Sequence, residues 1–456
     1  MNKYQKGLLK KYNLETSILV IASYPPRGGV YTSKTGGGLA PFTKNTITAI
    51  SDYQRTTPTD GKIIVLAETL GREEIYEEGN VLVWRVFKRN SIVLYKQLFG
   101  AVSQFSKVRN ILIEFEFNCY GDFFIASFFP FFISLLRIFN KNITLVLHQV
   151  IFDLSQLSGH LGFKGKSMKI SIFNALIRLY YWFIASVSNN IITLEEEHKN
   201  RLAKLISEEK ITAVPHGVDL NFKATSKSKA RKKLGYRDDE LVLLYFGFLT
   251  WYKGADFLVN TFAKRQYKIA GKRVRVILAG GDSPTLSSKP HYQDYIGKLR
   301  TKAEGSNTVS ITGFVPQEDI PLYFAASDLV LFPYRTFMSS SGPLSLALSH
   351  KKPFLLSSSL KGYFLSPDFS SSLDQCGLRE KDVLFSLRPT SLLKKVNALC
   401  SDFGYFNKLS AFSAQVAARR YFEVLVPNYL AVIGARQRSE SLFSAGAFMR
   451  RLLAVK

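Results

Sequence analysis

Residues 244–256 read LYFGFLTWYKGAD, and this stretch decides the fold of the chain. Residues 241–246 form a continuous apolar run, which is typical of a buried strand. Gly247 follows the run and lets backbone approach a ligand closely. Lys253 adds a positive charge, and Gly254 opens a segment with helical apolar periodicity. A strand, a loop with a lysine and a helix N-terminus suit a phosphate or pyrophosphate, while a plain strand-to-helix turn with a solvated lysine is the alternative.

The composition is that of a globular protein with two or three domains. The chain has 456 residues, of which 46% are apolar. Its three cysteines, Cys119, Cys376 and Cys400, are far apart, so neither a disulfide framework nor a cysteine zinc site is predicted, and a reducing cytosol is expected. The apolar run at residues 18–22 is too short for the core of a signal peptide.

The net charge indicates an anionic partner. It amounts to +26, which suits nucleic acid, an acidic membrane surface or a phosphorylated substrate. Basic residues are spread along the whole chain without an RNA-recognition signature or zinc finger, and a solvated basic surface accounts for most of them. Membrane lipid ranks above nucleic acid because residues 123–136 and 168–187 are rich in apolar side chains. For the first segment we favour a buried helix over a membrane-facing one, and for the second both interpretations stay open.

The first half of the chain alternates strands and helices. Residues 17–22 predict a buried parallel strand, followed by a glycine-rich loop and a helix from about Ala40. That loop matches neither the dinucleotide-binding nor the P-loop motif. His148 comes near the end of a strand predicted over residues 142–150, where a side chain points into the ligand crevice of an α/β sheet.

Two carboxylates lie in the segment ILIEFEF at residues 111–117. The alternation predicts that Glu114 and Glu116 share one face of a strand. They are either an acid/base pair, for which the sequence gives weak evidence, or one of them binds a sugar hydroxyl at the strand end. A solvated strand end is the plainer interpretation, and it fits Glu114 better than Glu116.

The second half repeats the alternation after a basic connector at residues 227–234. The pattern predicts an α/β protein with two doubly wound sheets that face each other across a cleft, with the domain boundary near residue 220. The strands are predicted at residues 241–246, 274–279, 309–312, 329–332, 353–357 and 383–385.

Together these landmarks resemble the GT-B glycosyltransferases of the family 4 type, which are retaining and use nucleotide sugars. The resemblance runs over roughly residues 18–429 and is most specific in the second half. The matching stretches are residues 214–219 (VPHGVD), 247–254 (GFLTWYKG), 278–281 (LAGG), 312–315 (TGFV), 322–328 (LYFAASD), 330–334 (VLFPY) and 341–349 (SGPLSLALS).

The resemblance implies two Rossmann-like domains. Residues 1–220 would bind the acceptor, residues 221–430 would bind the nucleotide sugar and end in a helix that crosses back, and residues 431–456 would form a basic amphipathic tail. The implied reaction moves a sugar from a nucleoside diphosphate to an acceptor hydroxyl. The net charge and the apolar stretches favour a lipid-linked acceptor, and a polysaccharide acceptor is the other expectation. It implies no cofactor, no metal and no specific nucleic acid. The expected location is cytoplasmic, with peripheral contact at the inner face of an anionic membrane as a further expectation.

The resemblance also implies the site residues. Lys253 and the amides of a helix that begins near Gly342 would hold the leaving diphosphate, where negative charge develops. The catalytic candidates are His148, Lys253 and Glu116. The donor-binding candidates are Gly247, Lys253, Gly313, Phe314, Ser339, Ser340, Ser341, Gly342, Pro343 and Leu344, and the loop facing acceptor and donor carries Gly37 and Gly38.

The sequence departs from the family pattern at three positions. The two glutamates that the family carries eight positions apart fall on Met338 and Leu346, and the basic residue that often follows the first glycine is Phe248. We interpret the chain as a divergent active enzyme. The alternatives are a non-catalytic GT-B partner subunit, a GT-B nucleotide-sugar epimerase, for which Glu116 alone speaks, and a nucleic-acid binder.

Overall fold

A computed structural model describes residues 2–29, 38–57, 60–117, 119–162, 168–219 and 225–434. Gly37 lies outside these residues, and so does the part of the predicted tail beyond residue 434. Gly38 stands directly before the first long helix of the domain.

Eight strands build the first sheet in the described part of the chain. Their order is β3-β4-β2-β1-β5-β6-β7-β8, and all neighbours are parallel except β3 and β4. Most are buried on both faces, as expected of a parallel sheet covered by helices on each side. The strands are β1 (Ile18–Ile21), β2 (Ile63–Glu68), β3 (Glu74–Glu78), β4 (Val81–Phe87), β5 (Asn110–Phe115), β6 (Asn142–Leu147), β7 (Asn190–Thr193) and β8 (Ile211–Ala213).

The helices of the first domain follow the strand ends. They are α1 (Lys3–Tyr12), α2 (Leu39–Thr56), α3 (Leu94–Ser103), α4 (Phe123–Ala126), α5 (Phe129–Ile138), α6 (Ser158–Leu161), α7 (Met168–Val187) and α8 (Glu196–Leu202), with 3-10 turns at Leu154–Leu157 and Glu208–Lys210. Pro130 lies in the first turn of α5, where its missing N–H leaves no hydrogen bond unmade.

The segment over residues 123–136 is not the buried helix that we favoured. It forms two helices, and their outer faces are open: Phe123 and Phe131 are both 63% exposed. Only the face of α5 with Phe132 and Ile133 enters the core. An apolar run fills every side of the helix, so its composition does not tell which face packs on the sheet.

The second sheet has seven strands in the described residues. Its order is β10-β11-β9-β13-β14-β15, and β12 pairs with β11. All six strands that the sequence predicts in this half are present, and β10 is an additional short antiparallel strand. The strands are β9 (Glu240–Phe246), β10 (Lys268–Ile269), β11 (Lys272–Ala279), β12 (Val309–Ile311), β13 (Leu329–Phe332), β14 (Phe354–Ser357) and β15 (Leu384–Phe385).

Helices also surround the second sheet. They are α9 (Lys227–Leu234), α10 (Ala255–Phe262), α11 (Pro290–Glu304), α12 (Ile320–Ala326), α13 (Gly342–Ser349), α14 (Pro367–Gln375), α15 (Glu380–Val383), α16 (Pro389–Ser401), α17 (Phe403–Arg419) and α18 (Phe422–Gly434), with 3-10 turns at Trp251–Lys253, Gln317–Asp319 and Ser358–Leu365. The chain breaks between α17 and α18 at Arg420 and Tyr421. The last helix, α18, packs on α2 and contributes Leu425 and Tyr429 to the core of the first domain.

The two sheets present the ends of their strands to each other. Gln149 follows β6, Ser339 follows β13, and these two residues form an isolated antiparallel bridge between the domains. The carboxyl ends of parallel strands in an α/β sheet are where ligands bind, so the cleft between the domains is the place for a functional site.

Candidate functional site

Glycines bring the strand ends of the second domain into close contact. Gly247, directly after β9, has a φ of 114°, which is a conformation that favours glycine. A Cβ on Gly280 would lie 1.9 Å from the Gly247 carbonyl oxygen, and a Cβ on Gly281 would lie 2.9 Å from the Phe314 nitrogen. The loops after β9, β11 and β12 therefore form one continuous backbone surface.

Lys253 lies beside this surface. Its Nζ is 5.8 Å from the ring centre of Tyr252 and 6.0 Å from that of Tyr334. A Cβ on Gly247 would be 3.3 Å from the Lys253 Nζ and 2.9 Å from Cγ of Pro343, in the first turn of α13. The lysine ammonium and the start of α13 thus meet across a residue without a side chain, which is the arrangement expected of an anion site.

Burial changes the protonation of this lysine. Desolvation lowers the pKa of Lys253 to about 8, and the negative charge of Glu116 opposes that shift. Glu116 belongs to the first domain and follows β5, so it faces the lysine from across the cleft. An anion bound beside Lys253 would raise its pKa again, because an opposite charge favours the ammonium form.

The serine loop, residues 339–341, leads into α13. Ser341 caps the helix, because its Oγ accepts a hydrogen bond from the Leu344 N–H at 3.3 Å. The same Oγ lies 3.0 Å from the Tyr334 hydroxyl. The backbone N–H of Ser341 donates to the Tyr363 hydroxyl at 3.1 Å. Its predicted donor-binding hydroxyl is therefore already used by the fold. Next to it, a Cβ on Gly342 would meet nothing within 4 Å, so the first residue of the helix borders open space.

The serine loop is also bound to the first domain. The Ser340 N–H donates to the His148 carbonyl at 3.3 Å, and its hydroxyl donates to Oε1 of Glu195 at 2.8 Å. Ser339 pairs with Gln149 in the interdomain bridge. Two strand ends of the first domain, those of β6 and β7, therefore hold the loop in place.

Glu195 is part of a buried ion cluster that the sequence interpretation did not find. Arg420 Nη1 and Nη2 lie 3.0 and 3.1 Å from the two carboxylate oxygens of Glu195, and its Nε donates to Asp368. Burial raises the pKa of Glu195, and Arg420 opposes that shift. Burial alone would lower the pKa of Arg420, but the negative charges of Asp368 and Glu195 outweigh this effect and raise the pKa. The position of Glu195 after an apolar strand was the available sequence signal, the same one that pointed to His148.

His148 is held by Glu114. Its Nε2 lies 2.6 Å from Oε2 of Glu114, a side chain that is 1% exposed, and its ring stands edge-on to Phe42. The interpretation of Glu114 as a solvated strand end is wrong. The two glutamates do not share a strand face either, because β5 ends at Phe115 and Glu116 lies beyond it.

The segment VPHGVD connects to the same helix. Nδ1 of His216 lies 2.8 Å from Oγ of Ser345 in α13, and its ring packs on Phe42. Burial lowers the pKa of His216 to about 3, so it is neutral at physiological pH. Phe42 therefore contacts both His148 and His216.

The positions of the family glutamates carry apolar side chains here. Met338 and Leu346 pack partly buried against the core of the second domain. The carboxylates near the serine loop come instead from the first domain, with Glu195 bonded to Ser340 and Glu116 acting on Lys253. Among the described residues, no group of three or more His, Cys, Asp or Glu is placed to hold a metal ion.

The whole architecture matches solved structures. Sucrose-phosphate synthase from Thermosynechococcus elongatus superposes with a TM-score of 0.66 at 14% identity, covering 97% of this chain and 100% of that one. The chain adopts the GT-B fold. WaaG, a glycosyltransferase involved in lipopolysaccharide biosynthesis, gives 0.59 at 12% identity over 92% of this chain and 100% of that one. Anabaena HepE in complex with UDP-glucose gives 0.60 at 17% identity over 91% and 99%. The predicted GT-B class with two Rossmann-like domains is confirmed, and at these identities the likeness concerns the fold alone.

Within the GT-B fold, the second domain carries the family match. Residues 226–352 match the model of the family described as glycosyl transferases group 1. An uncharacterized glycosyltransferase of Methanocaldococcus jannaschii is 24% identical over 154 residues, 32% of this chain and 36% of that protein. D-inositol 3-phosphate glycosyltransferase 1 of Catenulispora acidiphila is 30% identical over 130 residues, 28% and 30% of the two chains. The chain matches about a third of the length of these relatives.

Proposed function

We propose that this chain is a retaining glycosyltransferase that moves a sugar from a nucleoside diphosphate to a hydroxyl of a lipid-linked or polysaccharide acceptor. The observation that carries the proposal is the meeting of the Lys253 ammonium and the start of α13 across Gly247. The complex of Anabaena HepE with UDP-glucose supports a nucleotide-sugar donor. Retention of the anomeric configuration rests on the resemblance to family 4.

The second domain would stabilise the leaving diphosphate. As the glycosidic bond breaks, negative charge grows on the phosphate oxygens, and donors already in position lower the energy of that state. Lys253 supplies the cation, and the N-terminus of α13 at Gly342 supplies backbone dipoles. Gly247 and Gly313 let the ligand approach the backbone, and Phe314 lies beside them. No metal or other cofactor has a role in this proposal.

The first domain would present the acceptor. Glu116 and His148 follow neighbouring strands, β5 and β6, and face the site from the opposite side of the cleft. We assign Glu116 to the acceptor hydroxyl. The hydrogen bond that His148 Nε2 makes to the Glu114 carboxylate fixes the ring of His148 beside the serine loop. The protein would work in the cytoplasm, with peripheral contact at the inner face of an anionic membrane.

The serine loop takes the place of the family glutamates in this proposal. Ser339 and Ser340 offer hydroxyls to the sugar, and Glu195 holds Ser340 from the first domain. Because Met338 and Leu346 are apolar, a non-catalytic partner subunit is the second candidate. Such a subunit would bind a nucleoside diphosphate without turning over any donor.

Turnover of nucleotide sugars by wild type and Lys253→Ala tests the proposal. A thermal-shift screen of nucleoside diphosphate sugars first identifies the donor, because a ligand that binds the native state stabilises it. We expect the substitution to lower hydrolysis and transfer by about 100-fold or more, since the diphosphate loses its cation. Lys394→Ala, at an exposed lysine of α16, is the control. Equal rates in Lys253→Ala and wild type would refute the assignment, and binding without turnover in wild type would favour the partner subunit.

A further inference from the structure

The first domain carries an exposed apolar surface outside the cleft. It is formed by the outer sides of α4, α5 and α7, and we call it the apolar face. The three helices are in contact, since the Phe131 ring packs on Phe183 and the Tyr180 hydroxyl donates to the Ala126 carbonyl. The exposed members are Phe123, Phe124, Phe128, Phe131, Leu135, Met168, Ile172, Phe173, Leu176 and Leu179. A contiguous surface of this kind marks a docking site in a protein that is otherwise covered by polar groups.

The helix α7 lies along the domain instead of crossing a bilayer. Its 20 residues are long and apolar enough for a membrane span by length and composition. Its inner side, however, belongs to the core: Tyr181 is buried and its hydroxyl donates to the Gln149 carbonyl at 3.0 Å. Asn174 accepts the Leu154 N–H at 2.9 Å. A helix held on one side and open on the other suits the boundary between headgroups and acyl chains.

Basic residues outnumber acidic ones around the apolar face, although Asp122 is exposed at the start of α4. Between residues 123 and 194 the sequence contains six basic residues and a single acidic one, Asp153. Lys169 is exposed on α7, and Lys88 and Lys96 are exposed at the neighbouring α3 segment, which also exposes Ile92. Lys141 is not part of this set, because it is buried and donates to backbone carbonyls.

This combination selects the occupant. Apolar side chains rimmed by lysine fit a bilayer with anionic headgroups, because each basic residue near the surface adds electrostatic attraction. A second copy of the chain would bring the same lysines against each other, and like charges across an interface are unfavourable.

The apolar face also adjoins the mouth of the cleft. The α4 helix follows the loop that leaves β5 after Glu116, and α7 follows the segment that leaves β6 after His148. The α4 helix therefore begins near the edge of the sheet where the acceptor side of the site lies, and α7 reaches the same edge at Tyr181, whose hydroxyl donates to the Gln149 carbonyl.

We propose that the apolar face is a docking surface for an anionic lipid bilayer, oriented so that the acceptor side of the cleft opens next to the membrane. This deepens the proposed function and rests on it for the lipid-linked acceptor. The adsorption itself follows from the surface alone.

Vesicle flotation of the full chain tests the proposal. The variant Phe123→Gln/Ile172→Gln/Leu176→Gln removes apolar contacts on both helices with a residue that favours helix. Phe403→Gln is the matched control, because Phe403 is 78% exposed at the start of α17 in the second domain. We expect wild type and control to float with vesicles of phosphatidylglycerol and phosphatidylcholine at low salt. The partition coefficient of the triple variant onto these vesicles should be lower by about tenfold or more.

A second pair of variants checks the charge. Lys169→Glu should reduce the fraction of protein that floats and should make flotation less sensitive to salt. Lys394→Glu should leave both quantities unchanged. Thermal shift with a set of nucleoside diphosphates (UDP, GDP, ADP and TDP) verifies that each variant is folded and separates the two proposals. Loss of flotation with an intact nucleotide shift concerns the apolar face only. Flotation without a shift by any of these nucleotides refutes the proposed function only. Equal flotation of the triple variant and wild type would overturn the docking surface. The docking surface would also be overturned if wild type does not float and light scattering shows that wild type forms dimers whereas the triple variant does not.

Discussion

Arg420 and Glu195 form a buried, two-pronged ion pair that joins the two domains of the protein. The guanidinium nitrogens lie 3.0 and 3.1 Å from the carboxylate oxygens. Glu195 follows β7 in the first sheet, and Arg420 ends the second domain just before α18 returns to the first. Since Glu195 also accepts a hydrogen bond from Ser340, the pair supports both the domain arrangement and the serine loop.

Arg420→Met is therefore expected to destabilise the protein strongly. The substitution leaves the carboxylates of Glu195 and Asp368 buried without their cation, and breaking a buried pair in this way costs about 3–5 kcal/mol. Chemical denaturation followed by circular dichroism measures the loss. Arg237→Met is the control, because Arg237 pairs with Asp239 on the surface, where ion pairs contribute little. Similar stabilities for the two variants would contradict the assigned role of the buried pair.

With UDP as the probe of the proposed diphosphate site, the affinity should decrease as pH rises through about 8. Burial lowers the pKa of Lys253 to about 8, so the free protein loses the ammonium charge in this range. Only the protonated lysine attracts the diphosphate, and at one pH unit above its pKa about a tenth of it remains protonated. Calorimetric titration at pH 7 and pH 9 should give an affinity up to about tenfold weaker at the higher pH. Lys253→Ala should bind weakly at both values, and a wild-type affinity that does not change with pH would refute the prediction.

The variants Gly247→Ala and Gly342→Ala should distinguish an effect on stability from an effect on ligand binding. At Gly247 the φ of 114° disfavours alanine, and the new Cβ would approach Pro343 to 2.9 Å, so we expect a loss of about 1–3 kcal/mol. At Gly342 the Cβ meets nothing within 4 Å, and stability should remain close to wild type. If a diphosphate approaches this backbone, UDP affinity should still fall in Gly342→Ala. Thermal unfolding with and without UDP gives both quantities, and an unchanged UDP shift in Gly342→Ala would argue against that approach.

Ser341→Ala is expected to weaken α13. Its hydroxyl caps the helix through the Leu344 N–H, and loss of such a cap costs about 1 kcal/mol. Ser339→Ala, in the same loop but outside the cap, should affect stability less. Thermal unfolding of the two variants in the absence of ligand tests this difference, and an equal loss would mean that the cap is not what stabilises the helix.

The sequence predicted the parts of the fold that depend on local pattern. Continuous apolar runs located β9 and β13, and the glycine and lysine of residues 247–254 indicated an anion site, whereas the helix at Gly342 was expected only from the family resemblance. The edge strand β3 was missed, because its sequence EIYEE is rich in glutamate and lacks an apolar run. Residues 111–117 were assigned too long a strand, since alternation continues past Phe115 although the sheet does not.

The interactions that join distant residues were not predictable in the same way. Glu195 and Arg420 are 225 positions apart, and nothing in the residues around either one indicates the other. The break between α17 and α18 coincides with backbone pairing of Arg420 and Tyr421 with Val218, a distant contact that the local sequence does not indicate. The open side of α4 and α5 was missed because apolar composition does not distinguish a core from a lipid surface.

The bridge between Gln149 and Ser339 has a consequence for the working cycle of the protein. The serine loop, beside the proposed diphosphate site, is paired with backbone of the first domain, so separation of the two domains would break that pairing. By thermodynamic reciprocity, a nucleotide that favours the paired loop favours the joined domains by the same free energy. Under the proposed function, nucleotide affinity and domain separation are therefore two measures of one equilibrium.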